Sequence, residues 1–206
     1  MLLYSYPRSS ASFRVRIALH LKGIPFEIES VDLLTDEQRS ARYLAVNPQG
    51  VVPTLIDGKV VISQSLAAIE YLEETHPTPS LLPKDPNDRA RARQLALLIA
   101  CEIHPLQNLG VLQSLGERFG AAEEDRRAWA REVIERGLQA FAKILDEKGE
   151  APYCHGDRPG LADIFLVPQL FNARRFECDL RAVPRLVEID ARCMQLEAFR
   201  RAAPDG

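Results

Sequence analysis

The run "HPTPSLLPKDP" at residues 76–86 separates two stretches of chain with different rhythms. Pro77, Pro79, Pro83 and Pro86 fix φ and remove backbone donors, so neither a helix nor an inner strand continues through them, and the run reads as a stiff linker. Before it, short apolar runs alternate with helical patterns. "LLYSY" reads as a strand, "FRVRIALHLKG" as a helix with Val15, Ile17, Ala18 and Leu19 on its apolar side, closed by Gly23. "PFEIESVDL" reads as a second strand and "DEQRSARYLAV" as a weaker helix. "TLIDGKVVI" is a hairpin turning at Asp57-Gly58, and "SLAAIEYLEE" is a third helix. The order βαβ then ββα predicts a mixed four-stranded sheet with helices on both faces. After the linker the patterns are helical: "DRARARQLALLIACEI", "DRRAWAREVIERGLQAFAKILDEK", "LADIFLVPQLFNARRF" and "PRLVEIDARCMQLEAFRRA". The expectation is an α/β domain at 1–83 and an all-helical domain at 84–206.

Charge and cysteine usage exclude several classes. A net charge of −3 over 206 residues implies no global polyanion-binding surface. Arginines interleave with acids, as in "REVIERG", which argues against a nucleic-acid partner. "LLYSY" after Met1 is too short for a signal peptide or a membrane span. Cys101, Cys154, Cys178 and Cys193 form no CxxC pair and lack zinc-ligand spacing, so no metal is expected. Reduced, packed thiols in a cytoplasm are the expectation.

The chemistry concentrates where the first strand meets the first helix, in "PRSSASFRVRIAL". Unpaired N–H groups collect at a helix start and attract anions. Neither GxxxxGK[ST] nor GxGxxG is present, so a nucleotide phosphate is poorly supported. The element order matches a thioredoxin-like domain, in which a redox CxxC would occupy this turn. Ser9-Ser10-Ala11-Ser12 stands there instead and cannot exchange disulfides. A serine hydroxyl and a helix start can instead stabilise a thiolate from another molecule. Ser9 or Ser10 can equally be a plain helix cap.

Two further stretches extend the pattern. In "NPQGVVPTL", Val52-Pro53 precedes a strand and fits a cis peptide, or else a trans entry to an edge strand. The cis arrangement would leave the Val52 N–H and C=O for an extended peptide to pair with. In "ISQSLAAIEYL", Gln64 and Ser65 open the third helix, either as a carboxylate site or as a cap. A thiol site, a peptide site and a carboxylate site together describe glutathione.

With these motifs assembled, the sequence resembles the glutathione transferases, and among them the zeta class that contains maleylacetoacetate isomerases. "YPRSSASFRVRIALHLKGI" is similar to that class's Ser-Ser-Cys-Ser-aromatic-Arg-Val-Arg run. "NPQGVVPTL", "QSLAAIEYLEETHPTPSLLPKDP", "HPLQNLGVL" and "LADIFLVPQLFNARRFECDL" continue the likeness along essentially the whole chain. The resemblance implies a glutathione transferase fold, a homodimer and glutathione as cofactor. It implies that Ser9, with Ser10 beside it, activates the glutathione sulfur, and that Gln38, Val52, Pro53, Gln64 and Ser65 hold the tripeptide. Arg14 would support the turn. His104 and Asn108, in "EIHPLQNLG", would lie where the helical domain closes over the site; Pro105 is expected to kink a long helix there. Arg175 and Arg8 would meet the two carboxylates of a small dicarboxylate substrate. The implied reaction is cis–trans isomerisation of maleylacetoacetate to fumarylacetoacetate, in tyrosine and phenylalanine breakdown, by reversible thiolate addition.

The sequence departs from the family pattern at three points. Ala11 stands where the class has Cys, Gly160 replaces the Ser or Thr that caps the helix of "GLADI", and His104 replaces a Gln. His-Pro also occurs in relatives acting on maleylpyruvate, which keeps that substrate open. A general transferase or dehalogenase that consumes glutathione, and a non-catalytic binding module, are the other readings. Retention of Ser9 and Ser10 argues against the last.

Overall fold

The computed structural model describes residues 1–147 and 149–204. Packing divides the chain into one unit of Met1–Leu81 with Met194–Gly206 and another of Leu82–Cys193. The expected boundary at 83/84 lies close to the first division, but the C-terminal segment groups with the first unit rather than with the helices that precede it. Residues 205 and 206, included in the expected helical domain, lie outside the described residues, as does Lys148, the expected end of one helix.

In the first unit, β1 (Leu2–Ser5) is central. It runs parallel to β2 (Glu27–Ser30) and antiparallel to β3 (Thr54–Asp57), which pairs antiparallel with β4 (Val60–Ser63), giving the order β2-β1-β3-β4. Asp57 pairs with Val60, so the hairpin loop is Gly58-Lys59, one residue later than the sequence suggests. Gly58 takes a φ of 58°, the left-handed conformation such a two-residue turn requires.

The first helix, α1 (Ser10–Leu21), starts three residues before the expected Phe13, with Ser9 as its cap. Gly23, at φ 65°, closes it: its N–H bonds the His20 carbonyl, and the Ile24 N–H bonds that of Leu19. Every residue from Ser12 to Leu19 is buried, because α1 is packed by α3 (Ser65–Thr75) and by α9 (Glu197–Ala202) as well as by the sheet. Arg14 and Arg16 are therefore core residues. The weak second helix is shorter than expected: a 3₁₀ turn at Glu37–Arg39 ends at Ser40, whose hydroxyl caps α2 (Ala41–Leu44) by accepting from the Tyr43 N–H.

In the second unit, the linker ends earlier than Pro86, which is the first residue of α4 (Pro86–Leu97) behind the Asp85 cap. The expected long helix 88–103 stops at Leu97 and continues as a π-helical turn, Leu98–Ile103, in which the His104 N–H reaches back to the Ile99 carbonyl. The expected kink at Pro105 is thus replaced by a widened turn before it. An unforeseen helix follows, α5 (Leu109–Phe119), then α6 (Glu123–Asp146), α7 (Leu161–Arg175) and α8 (Pro184–Cys193). Leu161–Leu170 of α7 is buried throughout, against α4, α6, α8 and the π turn. The expected single helix 184–202 breaks after Cys193 into α8 and α9, although no Gly or Pro marks the break.

Cys154 and Cys193 are buried and burial pushes both thiols up, which suits packed, inert residues. Cys178 is half-buried and pushed up to about 11, first by desolvation. Cys101, expected to be packed, is exposed on the π turn.

Candidate active site

The sheet register explains why residues far apart in sequence come together. Tyr4 of β1 pairs with Thr54 of β3, and Thr54 with Ser63 of β4. The exit from β1, the entry to β3 and the exit from β4 therefore lie at one edge of the sheet. Those three points lead to Ser9, to Val52-Pro53 and to Gln64-Ser65.

Ser9 caps α1 with extended backbone, its Oγ accepting the Ser12 N–H at 3.2 Å, while its own N–H bonds the Tyr6 carbonyl at 3.0 Å. The cap and the thiol site are not alternatives. The hydroxyl oxygen accepts from the helix, and its O–H proton is left to donate outward. Ser10 is buried beside it, at the first position of the helix.

The Val52–Pro53 peptide is cis. Among the described residues the Val52 N–H and C=O make no backbone hydrogen bond, which leaves both for an extended ligand. The preceding residue is clamped. The Val51 carbonyl accepts from Tyr43 OH and from Asn47 Nδ2, both at 2.7 Å, and Thr54 Oγ1 lies 2.9 Å from Tyr43 OH and 3.1 Å from Asn47 Nδ2. Burial pushes the Tyr43 phenol up, although its hydrogen bonds work in the opposite direction. Gly50, at φ 62°, lies where a Cβ would come 3.1 Å from the Gln38 carbonyl oxygen, so this loop and the Gln38 segment are closely packed. Sequence reading missed Tyr43 and Asn47; the only available signal was the Asn47-Pro48 turn dipeptide.

Gln64 takes a φ of 75°, an uncommon conformation for a side chain of its size, and its Nε2 bonds Gln49 Oε1 at 3.2 Å. Ser65, buried at the first position of α3, accepts from Arg14 Nη1 at 3.3 Å. Arg14 thus ties the start of α3 to α1, a more specific task than supporting its own turn. Gln38 Nε2 bonds Asp36, and its Oε1 is buried with no hydrogen-bond partner among the described residues. Arg8 is exposed in the loop before Ser9.

His104, Asn108 and Arg175 belong to the second unit. His104 follows the π turn, with Gln107 Nε2 3.5 Å from its Nδ1. Asn108 caps α5 through the Leu109 N–H. Arg174 and Arg175 diverge as adjacent helical residues must. Arg174 pairs with buried Asp190 at 2.6 Å, whereas Arg175 reaches Asn172 Oδ1 at 3.3 Å and lies 6.0 Å from the Phe171 ring centroid. Gly160 keeps half of a capping box: its N–H, and that of Cys154, bond the buried Asp163 carboxylate, while glycine has no side chain to complete the other half.

The architecture is a thioredoxin-like α/β unit with serine in place of the redox turn, joined to an all-helical unit. The glutathione S-transferase N-terminal domain model matches residues 8–75, and the glutathione S-transferase C-terminal domain model matches residues 88–202. The chain is 51% identical over 204 residues to the maleylacetoacetate isomerase of Rhizobium meliloti strain 1021, covering 98% of this chain and 95% of that one. It superposes with a TM-score of 0.97 on a holo maleylpyruvate isomerase described as a bacterial zeta-class glutathione S-transferase, at 46% identity over 99% of this chain and 97% of that one. A maleylacetoacetate isomerase from Methylobacterium extorquens AM1, solved with bound malonate and glutathione, superposes at 0.96 with 40% identity over 99% of this chain and 96% of that one. The chain belongs to the glutathione S-transferase family.

Proposed function

We propose that this protein is a glutathione-dependent isomerase that converts maleylacetoacetate to fumarylacetoacetate. The observation that carries the reading is the meeting, at one sheet edge, of the Ser9 cap, the unpaired backbone of Val52 and the Ser65 helix start. The site fits glutathione on its own chemistry. Val52 offers a donor and an acceptor to a peptide, buried Gln38 Oε1 awaits a donor, and the α3 start with Gln64 and Ser65 suits a carboxylate. When bound, glutathione supplies a soft thiolate whose reversible addition to a conjugated alkene allows rotation about the former double bond.

The protein's own tasks follow. Ser9 donates its hydroxyl proton towards the sulfur and, with the N-terminal end of α1, favours the ionised form. The first-turn N–H groups at Ser10 and Ala11 offer donors to negative charge that develops on substrate. By the family resemblance, Arg8 and Arg175 are the cations for the two substrate carboxylates, and His104 and Asn108 are further binding residues. Ala11 in place of Cys removes a thiol that this chemistry does not use. The protein acts as a cytoplasmic homodimer, a reading that rests on the family resemblance and is checked by light scattering.

Maleylpyruvate is the second substrate to consider, because the TM-score of 0.97 is to a maleylpyruvate isomerase. Both compounds present carboxylates around a cis alkene. The test is isomerisation of each, with and without glutathione, while free thiol is assayed. Glutathione-dependent turnover at constant thiol supports the isomerase, and the ratio of rates identifies the substrate. Falling thiol would instead indicate a conjugating or dehalogenating transferase. Undiminished turnover in Ser9→Ala would remove the central residue.

A further inference from the structure

Arg16 lies beneath the loop that carries Ser9, and its surroundings are unusual for a buried cation. It is 5% exposed, on the part of α1 covered by α9. Its Nε donates to the Ala202 carbonyl at 2.8 Å, its Nη1 to Ser5 Oγ at 3.0 Å and to the Tyr6 carbonyl at 3.5 Å, and its Nη2 to the Pro7 carbonyl at 2.9 Å. All four acceptors are neutral oxygens. Among the described residues no carboxylate pairs with this guanidinium.

Among the described residues the remaining charged groups nearby do not supply one. On α9, Glu197 lies 3.7 Å from Arg201, and Arg200 bonds the Gln195 carbonyl. On α3, Glu73 is engaged by Lys22 at 2.7 Å. Glu70 and Glu74 complete the acids of α3. On α1 itself the neighbours are Arg14 and His20, and Arg8 is in the loop. His20 is lowered by burial first, then by the positive charges of Arg201 and Arg16, with Glu197 acting in the opposite direction. Desolvation lowers Arg16 to about 10, which leaves it charged at neutral pH.

We propose that Arg16 is a positioning residue for the thiol site, holding the Tyr6–Ser9 loop to α9 and leaving behind the thiolate a buried positive charge that no carboxylate among the described residues pairs. The inference rests on the glutathione reading above and adds a residue to it. The Tyr6 carbonyl accepts both from Arg16 and from the Ser9 N–H, so the cap and the guanidinium share one anchor. A positive charge in a low-dielectric surrounding favours an anion nearby, whereas a paired one would cancel. The C-terminal helix enters as a structural element of the site, through the Ala202 carbonyl.

The test is ultraviolet titration of the thiolate of bound glutathione in wild type, Arg16→Lys, Arg16→Gln and Ser5→Asp. Ser5→Asp places a carboxylate where a hydroxyl now accepts at 3.0 Å, neutralising the charge in place without removing the guanidinium. Arg16→Gln and Ser5→Asp are expected to raise the bound thiol's pKa by about 1 unit, and Arg16→Lys to hold it near the wild-type value. If Arg16→Gln does not fold, the Ser5→Asp and Arg16→Lys pair decides. An unmoved pKa in Ser5→Asp, or a pKa as high in Arg16→Lys as in Arg16→Gln, would overturn the inference. Failure of the wild-type protein to bind glutathione would instead defeat the functional reading itself.

Discussion

Replacing Asn47 with Ala separates the clamp that holds Val51 from the ligand contact proposed for Val52. Asn47 is 2% exposed and makes three hydrogen bonds: Nδ2 to the Val51 carbonyl at 2.7 Å, Nδ2 to Thr54 Oγ1 at 3.1 Å, and Oδ1 from the Gln49 N–H at 3.1 Å. At about 1 kcal/mol net for each, the ceiling is about 3 kcal/mol. Tyr43 OH still serves the Val51 carbonyl and Thr54, and the Gln49 N–H is in an exposed turn that water can reach, so about 1–2 kcal/mol is expected. The loss falls on the loop that presents Val52. If glutathione must re-order that loop, its Kd weakens by about 5–10-fold, equivalent to about 1–1.4 kcal/mol. Tyr43→Phe should have a similar effect. The double variant should exceed the sum, because it leaves the Val51 carbonyl and the Thr54 hydroxyl without either donor. Titration calorimetry of the four proteins with glutathione gives the cycle, and thermal melts report stability separately. Lower melting temperatures with unchanged glutathione affinity would refute the reasoning, since the clamp would then hold the fold and not the ligand.

Other perturbations test other parts of the chain. Lys22 Nζ, fully buried, donates to Glu73 and to the His76 and Pro79 carbonyls, and Glu73 also accepts from Ser80 and the Leu81 N–H. Glu73→Ala strands the ammonium and should destabilise by about 3–5 kcal/mol in urea melts, whereas Lys22→Met/Glu73→Leu should recover most of it; a loss under about 1 kcal/mol in the single variant would refute the buried pair. Burial alone would raise the Glu73 carboxyl, but its donors outweigh that and hold it below its usual value. Its stabilisation is therefore present above the unfolded-state value of about 4.3 and lost as pH falls through the lower folded value, a dependence that Glu73→Gln should flatten. Gly137→Ala sets a Cβ 2.4 Å from Ile103 Cγ1 and Cδ1, in the π turn before His104. Overpacking of about 1–3 kcal/mol should exceed the helix gain of about 1 kcal/mol, with partial rescue by Ile103→Val in thermal melts.

The fold was legible wherever one residue carried one instruction. Gly23 closes α1 and Gly58 turns the hairpin because each must take positive φ. The element order gave the mixed sheet. What sequence reading missed lacked such a marker. In α5, Leu109, Leu112, Leu115 and Phe119 recur at helical spacing, but Gly110 and Gly116 weaken the helical pattern, no residue of the helix is buried, and the Asn108 cap and Gly120 at φ 68° bound it. The break between α8 and α9 has no Gly or Pro, yet it sends Phe199 and Ala202 into contact with the first unit's core, a tertiary choice that local propensity does not encode. The π turn likewise reads as ordinary helix in sequence, although it sets the position of His104.

The site was legible to a different depth on each side of its residues. The groups that would touch a ligand announced themselves, because hydroxyls at a helix start and an X-Pro before a strand are unusual enough to ask for a reason. The groups that hold them did not: Tyr43 and Arg16 look in sequence like ordinary members of helical segments, Asn47 shows only as part of a turn dipeptide, and Arg14 is marked by the family resemblance alone, as a support for its turn. Arg14 and Arg16 show why. On a helix covered on one face, the consecutive residues Arg14, Val15, Arg16 and Ile17 point all round the axis and cannot all be buried, so at least one arginine would be read as solvated. Covering α1 with α3 and α9 as well as the sheet removes that choice and forces both guanidiniums to find oxygens inside: Ser65 for Arg14, and Ser5, the loop carbonyls and Ala202 for Arg16. Arg16 is costly to desolvate, and its neutral acceptors offset that cost only in part. On the reading proposed above, a thiolate at the N-terminal end of α1 would meet that positive charge, so the packing that hides Arg16 from a sequence pattern also prepares the Ser9 turn for an anion.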